Sequence, residues 1–172
     1  MKSRLGLLIG MIFAAAGMRL LPHPPNFESI GAIALFAGAH FDDKRRAFVL
    51  PLAAMLLSDA VIGFHAQMPI VYGTFALVVC MGFFLRERRT ILPITGAAVV
   101  ASTLFFVITN FGVWAFDGLY PRTLEGLVVC YVAAIPFFGN TLAGTVFYTA
   151  VLFGGFALAE RKITVFAPAT RS

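Results

Sequence analysis

The chain has 172 residues, of which 60% are hydrophobic and only 12% charged, with a mean hydropathy of +0.91. Soluble domains average about 45–50% apolar and about 25% charged residues, so this composition excludes a soluble globular domain, a disordered chain and a disulfide-rich secreted scaffold. It describes one small integral membrane domain over residues 1–172, and two cysteines do not make a disulfide framework or a zinc ribbon.

In chain order, the apolar stretches are Leu5–Leu21, Ser29–Phe41, Ala47–Phe64, Pro69–Leu85, Ile91–Phe116 and Gly139–Ala159. With a cytoplasmic N-terminus, the inner segments hold Lys2, Arg4, Lys44, Arg45, Arg46, Arg86, Arg88, Arg89, Arg161, Lys162 and Arg171, which is 11 of the 13 basic residues. Arg19 and Arg122 fall outside. This bias follows the positive-inside rule and predicts six transmembrane helices, an all-α fold, with N- and C-termini cytoplasmic. The net charge of +5 is thereby a topology signal, and no nucleic acid is expected as a partner.

The N-terminus imitates a signal peptide, because Lys2 and Arg4 precede an apolar run ending in Ala14, Ala15 and Ala16. It reads as an uncleaved first helix, since the topology count needs the segment. Ser29–Phe41 is short, covering about 20 Å of a hydrocarbon core about 30 Å thick. Either it begins near Asn26 or one end sits in a protein-lined cavity. The region Leu124–Ala159 is too long for one span, and Pro136 with Gly139 supplies a place to break it. Leu124–Ile135 is then either an outer half-helix that closes over a pocket or a bent outer end of helix six.

No phosphate loop, zinc-protease motif or nucleophile turn occurs, so the chain carries no ATPase or hydrolase machinery of its own. Ionisable residues inside a membrane are functional candidates by default. Asp59 lies about 18 Å along the third helix and Arg19 about 21 Å along the first, a match in depth that predicts an ion pair, either a helix lock or a ligand contact. Asn110, Thr109, Asn140, Thr141, Tyr72, Tyr131 and Tyr148 gather in the outer half and are either interhelical glue or the lining of an outward-facing cavity. His23 and His65 are expected outside and His40 inside. Gly6, Gly10 and Ala14 repeat every four residues on helix one, a spacing that serves close packing or a docking face. Cys130 reads as apolar filling, and Cys80, at mid-membrane, as either packing or a soft-metal ligand.

Several segments carry a family resemblance: Arg19-Leu-Leu-Pro-His-Pro-Pro-Asn-Phe-Glu28 with Gly31–Gly38, Ser58-Asp59, Tyr72 through Cys80 to Gly82, Thr109-Asn-Phe-Gly-Val-Trp114 and Ile135-Pro-Phe-Phe-Gly-Asn140. Together they resemble the BtuM family of bacterial vitamin B12 transporters, solitary relatives of the substrate-binding S components of energy-coupling-factor transporters. The resemblance implies a multi-pass protein of the bacterial inner membrane that binds cobalamin from the periplasmic side and mediates its uptake. It implies that Cys80 ligates the cobalt of cobalamin, with loss of the cyano ligand of cyanocobalamin to the same thiolate; no free metal ion is expected. Asp59, Tyr72, Asn110, Tyr131 and Asn140 are the accompanying candidates for ligand contact. Membrane lipid and an energy-coupling ATPase module docked on Gly6, Gly10 and Ala14 are the expected partners. Two alternatives stand beside transport of cobalamin: an S-like binder of another vitamin, and a membrane enzyme using the Cys80 thiolate for decyanation.

Overall fold

The structure, a computed structural model, describes residues 2–166, with side chains from Arg4 to Lys162; Arg171 and the side chain of Lys2 lie outside the described residues. The described residues form helices and no strands: α1 (Lys2–Gly17), a 3-10 turn (Met18–Leu20), α2 (Ile30–His40), α3 (Lys44–Ile62), α4 (Met68–Phe83), α5 (Ile91–Phe116) and α6 (Leu124–Phe166). Two of them, α5 and α6 as far as Lys162, are long and apolar enough to cross a membrane. At one end of the bundle lie the connections 21–29, 63–67 and 117–123, here the proline end. At the other, the basic end, Lys44, Arg45, Arg46 and Arg86–Arg89 meet the start of α1, where Arg4 pairs with Glu160 at 2.8 Å.

The short helix α2 is the centre of the fold. Ten of its 11 residues are buried, so it is enclosed by protein along its length and needs no apolar stripe. Its start is at Ile30, not near Asn26: Asn26 takes a left-handed backbone with φ 62°, a conformation that asparagine tolerates better than most residues. The proline-rich stretch therefore enters the bundle as irregular chain, and the shortness of α2 is accommodated by neighbours that surround both of its ends. Close approach to α4 is secured by glycine on both helices. A Cβ on Gly38 would lie 2.2 Å from the Val79 carbonyl oxygen, and one on Gly82 would lie 2.5 Å from that of Leu35. Arg86 then seals the basic end of the pair, donating to the carbonyl oxygens of Gly38 (3.1 Å) and Phe41 (2.7 Å).

Helix α1 packs through Leu8, Ile12, Ala15 and Ala16. Gly6, Gly10 and Ala14 lie on its exposed face, and a Cβ on Gly6 or Gly10 would meet nothing within 4 Å. The internal-packing reading of that stripe is thus excluded; the small-residue contact that does exist is between Gly38 and Gly82.

Helix α6 decides between the two readings of Leu124–Ile135. Its 43 residues run without a break through Pro136, and at 1.5 Å per residue it is about 65 Å long. Leu124–Ile135 is consequently its first three turns, not a separate half-helix. Those turns lie along the end of α5: the Cys130 thiol donates to the Asn110 carbonyl (3.4 Å), the Tyr131 hydroxyl donates to that of Val107 (2.6 Å), and Phe106 meets the rings of Tyr131 and Phe138. Losing one backbone bond at proline is outweighed by contacts along both sides of it.

The glycine contacts give a direct check. Gly38→Ala and Gly82→Ala should each destabilise the fold by about 1–3 kcal/mol through overpacking, seen as a lower unfolding temperature in detergent. Gly10→Ala should leave it unchanged or raise it slightly, since alanine is favoured over glycine inside a helix.

Candidate functional site

The site at the proline end is built on a charge sealed between helices. The 3-10 turn ending α1 places Arg19 against the last turns of α3, where Asp59 is 3% exposed. Arg19 Nη1 lies 2.7 Å from Asp59 Oδ1 and also donates to Ser58 Oγ, whose own hydroxyl donates to the Met55 carbonyl at 2.8 Å. The Tyr72 hydroxyl on α4 donates to the other carboxylate oxygen, Oδ2, at 2.7 Å. Both oxygens of Asp59 are satisfied and its charge is neutralised, the condition under which a buried carboxylate is tolerated. The predicted Arg19–Asp59 pair is present, and it ties α1, α3 and α4 together. Asp59 and Tyr72 are thereby committed to each other.

One further arm of the network reaches a cavity. Arg19 Nε donates to Glu28 Oε2 at 3.3 Å, and Glu28 lines a small cavity of about 70 Å³ with Asn26, Gly31, Ser102, Thr141 and Thr145. The backbone bearing Glu28 is set by α6: a Cβ on Gly144 would lie 2.8 Å from the Glu28 nitrogen, so only glycine permits this approach. Asn140 holds the same stretch, its amide donating to the Pro25 carbonyl at 3.0 Å. Next to it, a cavity of about 230 Å³ is lined by Asn26, Gln67, Phe105, Thr109, Asn110 and Thr141. The Gln67 amide nitrogen donates to Asp117 Oδ1, while its buried Oε1 has no partner in the protein. The two cavities share Asn26, Phe105 and Thr141. They form a polar recess with aromatic walls, able to surround a solute and to offer it carboxylate, amide and hydroxyl groups.

The candidates read from sequence divide as follows. Asn110, Thr109 and Thr141 line the recess. Asn140 shapes it through Pro25, and Tyr131 is committed to the Val107 carbonyl on α5. Asp59 and Tyr72 support it through Arg19 and Glu28. Cys80 is apart: it is a free, exposed thiol on the outward face of α4 with Gly73 and Leu77, whereas Thr74, Phe75, Val78 and Val79 turn inward. It lines neither cavity. His23 is half-buried, His65 is exposed and His40 is buried at the basic end, and among the described residues no three His, Cys, Asp or Glu side chains come together as a metal site. Asn26, Glu28, Gln67, Ser102 and Thr145 were not anticipated. The one available signal was the spacing of Thr141 and Thr145, four residues apart and so on one face of a helix.

Removing one partner of the sealed pair should be costly. Asp59→Ala leaves a buried guanidinium with only its longer contact to Glu28 and should destabilise by about 3 kcal/mol, against about 1.5–3 kcal/mol for Tyr72→Phe, which loses one hydrogen bond to a charged group. The double variant Arg19→Met/Asp59→Leu should recover much of the loss, as read from unfolding temperatures in detergent.

No curated protein and no solved structure matches the chain. Residues 1–169 match the family described as Family of unknown function (DUF6580). The match spans nearly the whole length, and the chain belongs to that family.

Proposed function

We propose that the chain is a six-span protein of the bacterial inner membrane, of the S-component type, which binds a water-soluble solute from the periplasmic side and mediates its uptake. The observation that carries this reading is the polar recess at the proline end, held by Glu28 and Asn26 and anchored through Arg19 to the buried Asp59. A concave site with a few convergent polar groups among aromatic walls is the usual form of a small-molecule site. Supporting the membrane setting, large apolar side chains are exposed along α5 and α6, among them Val100, Val107, Val128, Val132 and Leu158; a surface of that kind is unsuited to water. The basic residues gather at the end away from the recess, which supports a cytoplasmic position for that end and for both termini. The open stripe Gly6, Gly10 and Ala14 on α1 is a face on which an energy-coupling ATPase module docks in this reading.

The ligand divides into two readings. Cavities of about 70 and 230 Å³ favour a vitamin-sized solute held by Glu28, Asn26, Thr109 and Asn110. The BtuM resemblance favours cobalamin, and the observation on its side is the free, exposed thiol of Cys80, available to a cobalt from outside the recess. In that case the thiolate takes the axial position of cobalt and cyanide departs with the bond it held. Repeated cyanide release per protein would mark an enzyme, and a single release a binder.

One pair of variants separates these readings. Purified protein given cyanocobalamin should show shifted corrinoid absorption bands that vanish in Cys80→Ala and persist in Glu28→Gln if cobalamin is the ligand. Unshifted bands, with a small organic solute that co-purifies with the wild type and is lost from Glu28→Gln, support the smaller ligand. Protein that retains neither sinks the uptake reading.

A further inference from the structure

The polar groups of the recess differ in what they can still offer a solute. Among the described residues, Glu28 is the only charged one that lines either of its cavities. Its Oε2 receives Arg19 Nε at 3.3 Å, and its Oε1 receives nothing from the protein. Arg19 also serves Asp59 at 2.7 Å. One guanidinium thus faces two carboxylates, and the network holds one negative charge in excess. The shorter contact is to the buried Asp59, so the excess falls on Glu28, at the cavity.

The hydroxyls of the recess share this bias. Ser102 donates to the Ala98 carbonyl (2.9 Å), Thr109 to that of Phe105 (2.7 Å) and Thr141 to that of Phe137 (3.2 Å). A hydroxyl has one proton and two lone pairs. These three have spent the proton on their own helix and keep only the capacity to accept. Thr145 and Asn26, which also line the small cavity, can donate or accept.

Size, aromatic lining and the surrounding charge act in the same direction. The small cavity, of about 70 Å³, has room for a group of a few heavy atoms, since one water needs about 10–15 Å³. Phe75 and Phe105, with ring centroids 5.3 Å apart, line it together with Glu28, and an aromatic face attracts a cation. At the proline end as a whole, Glu28, Asp59, Asp117 and Glu125 outnumber Arg19 and Arg122. The field there draws positive charge toward the recess and repels anions.

We propose that the solute of the recess is an organic cation with N–H donors, of the protonated amine, amidine or guanidine class. Its charged head pairs with Glu28 in the small cavity and donates to Ser102 and Thr141, and its body occupies the adjoining cavity of about 230 Å³. The proposal rests on the reading of the recess as the binding site for an imported solute, and names the class of that solute. An anion would meet a carboxylate and hydroxyls with no proton to give. A neutral solute would leave the excess charge of Glu28 unpaired.

Three planar probes of nearly one shape test it by equilibrium dialysis against the purified full-length protein at neutral pH. Benzamidinium is a cation with donors only, benzamide is neutral, and benzoate is an anion with acceptors only. Benzamidinium should bind about tenfold tighter than benzamide, the difference expected of a hydrogen bond to a charged group, and benzoate should not bind. Glu28→Gln should bring benzamidinium to the level of benzamide, while Glu28→Asp, which keeps the charge, should retain most of the preference. The wild-type comparison decides by itself should Glu28→Gln fail to fold. Equal binding of benzamide and benzamidinium, binding of benzoate, a preference that survives in Glu28→Gln, or binding of none of the three overturns the cation site. A solute that co-purifies with the wild type and proves neutral or anionic on electrophoresis at neutral pH overturns it too, and leaves the uptake reading standing. A co-purifying cation that cells producing the protein do not accumulate supports the cation site and sinks the uptake reading instead.

Discussion

A guanidinium and a carboxylate enclosed between apolar helices cannot be left half-paired, and the Arg19–Asp59 contact at 2.7 Å organises the proline end of this protein around that constraint. The pair draws in Tyr72 for the second carboxylate oxygen and Ser58 for the arginine, so α1, α3 and α4 share one network. It also decides where Glu28 lies, since Arg19 extends to it at 3.3 Å. Glu28 is 36% exposed at its side chain, against 4% for Asp59. The network thus passes from a fully enclosed carboxylate that only holds the fold to a partly open one that borders the recess.

The recess depends equally on what is absent from the backbone. Gly38 and Gly82 let α2 and α4 touch main chain to main chain, and Gly144 lets α6 press on the Phe27–Glu28 backbone. Without these approaches α2 would be forced outward and would lose the cover that buries ten of its 11 residues. Enclosure by the surrounding helices keeps it central. It also leaves the start of α2, at Ile30 and Gly31, bordering the cavity, as expected of a short segment whose end sits in protein.

Some of this arrangement was legible before any coordinates. The ion pair followed from depth alone, because two ionisable residues at one level of an apolar bundle have strong reason to meet. Thr109, Asn110 and Thr141 were found as polar residues near one end. Glu28 and Asn26 were not, because they sit in an irregular proline-rich stretch with no periodicity from which a direction could be read. Cys80 marks the other limit. Helix α4 is apolar nearly all round, so its pattern does not say which face turns inward, and its thiol lies on the outward side. The sequence left two readings of Leu124–Ile135 open, and the outer end of helix six is the one that matches α6: proline's local preference favours a break, and contacts with α5 that are remote in sequence outweigh it.

Composition, the order of the apolar segments and the one-sided placement of the basic residues are properties of the chain read in one dimension. They determined a helical, membrane-suited protein with one basic end, and the meeting of Arg19 with Asp59. The rotation of each helix about its axis, the glycine contacts at Gly38 and Gly144, and the gathering of Asn26, Glu28, Ser102 and Thr145 around one cavity were decided by tertiary structure. Those features depend on which neighbour fills the space beside each side chain, and in a sequence this uniformly apolar nothing local encodes that choice.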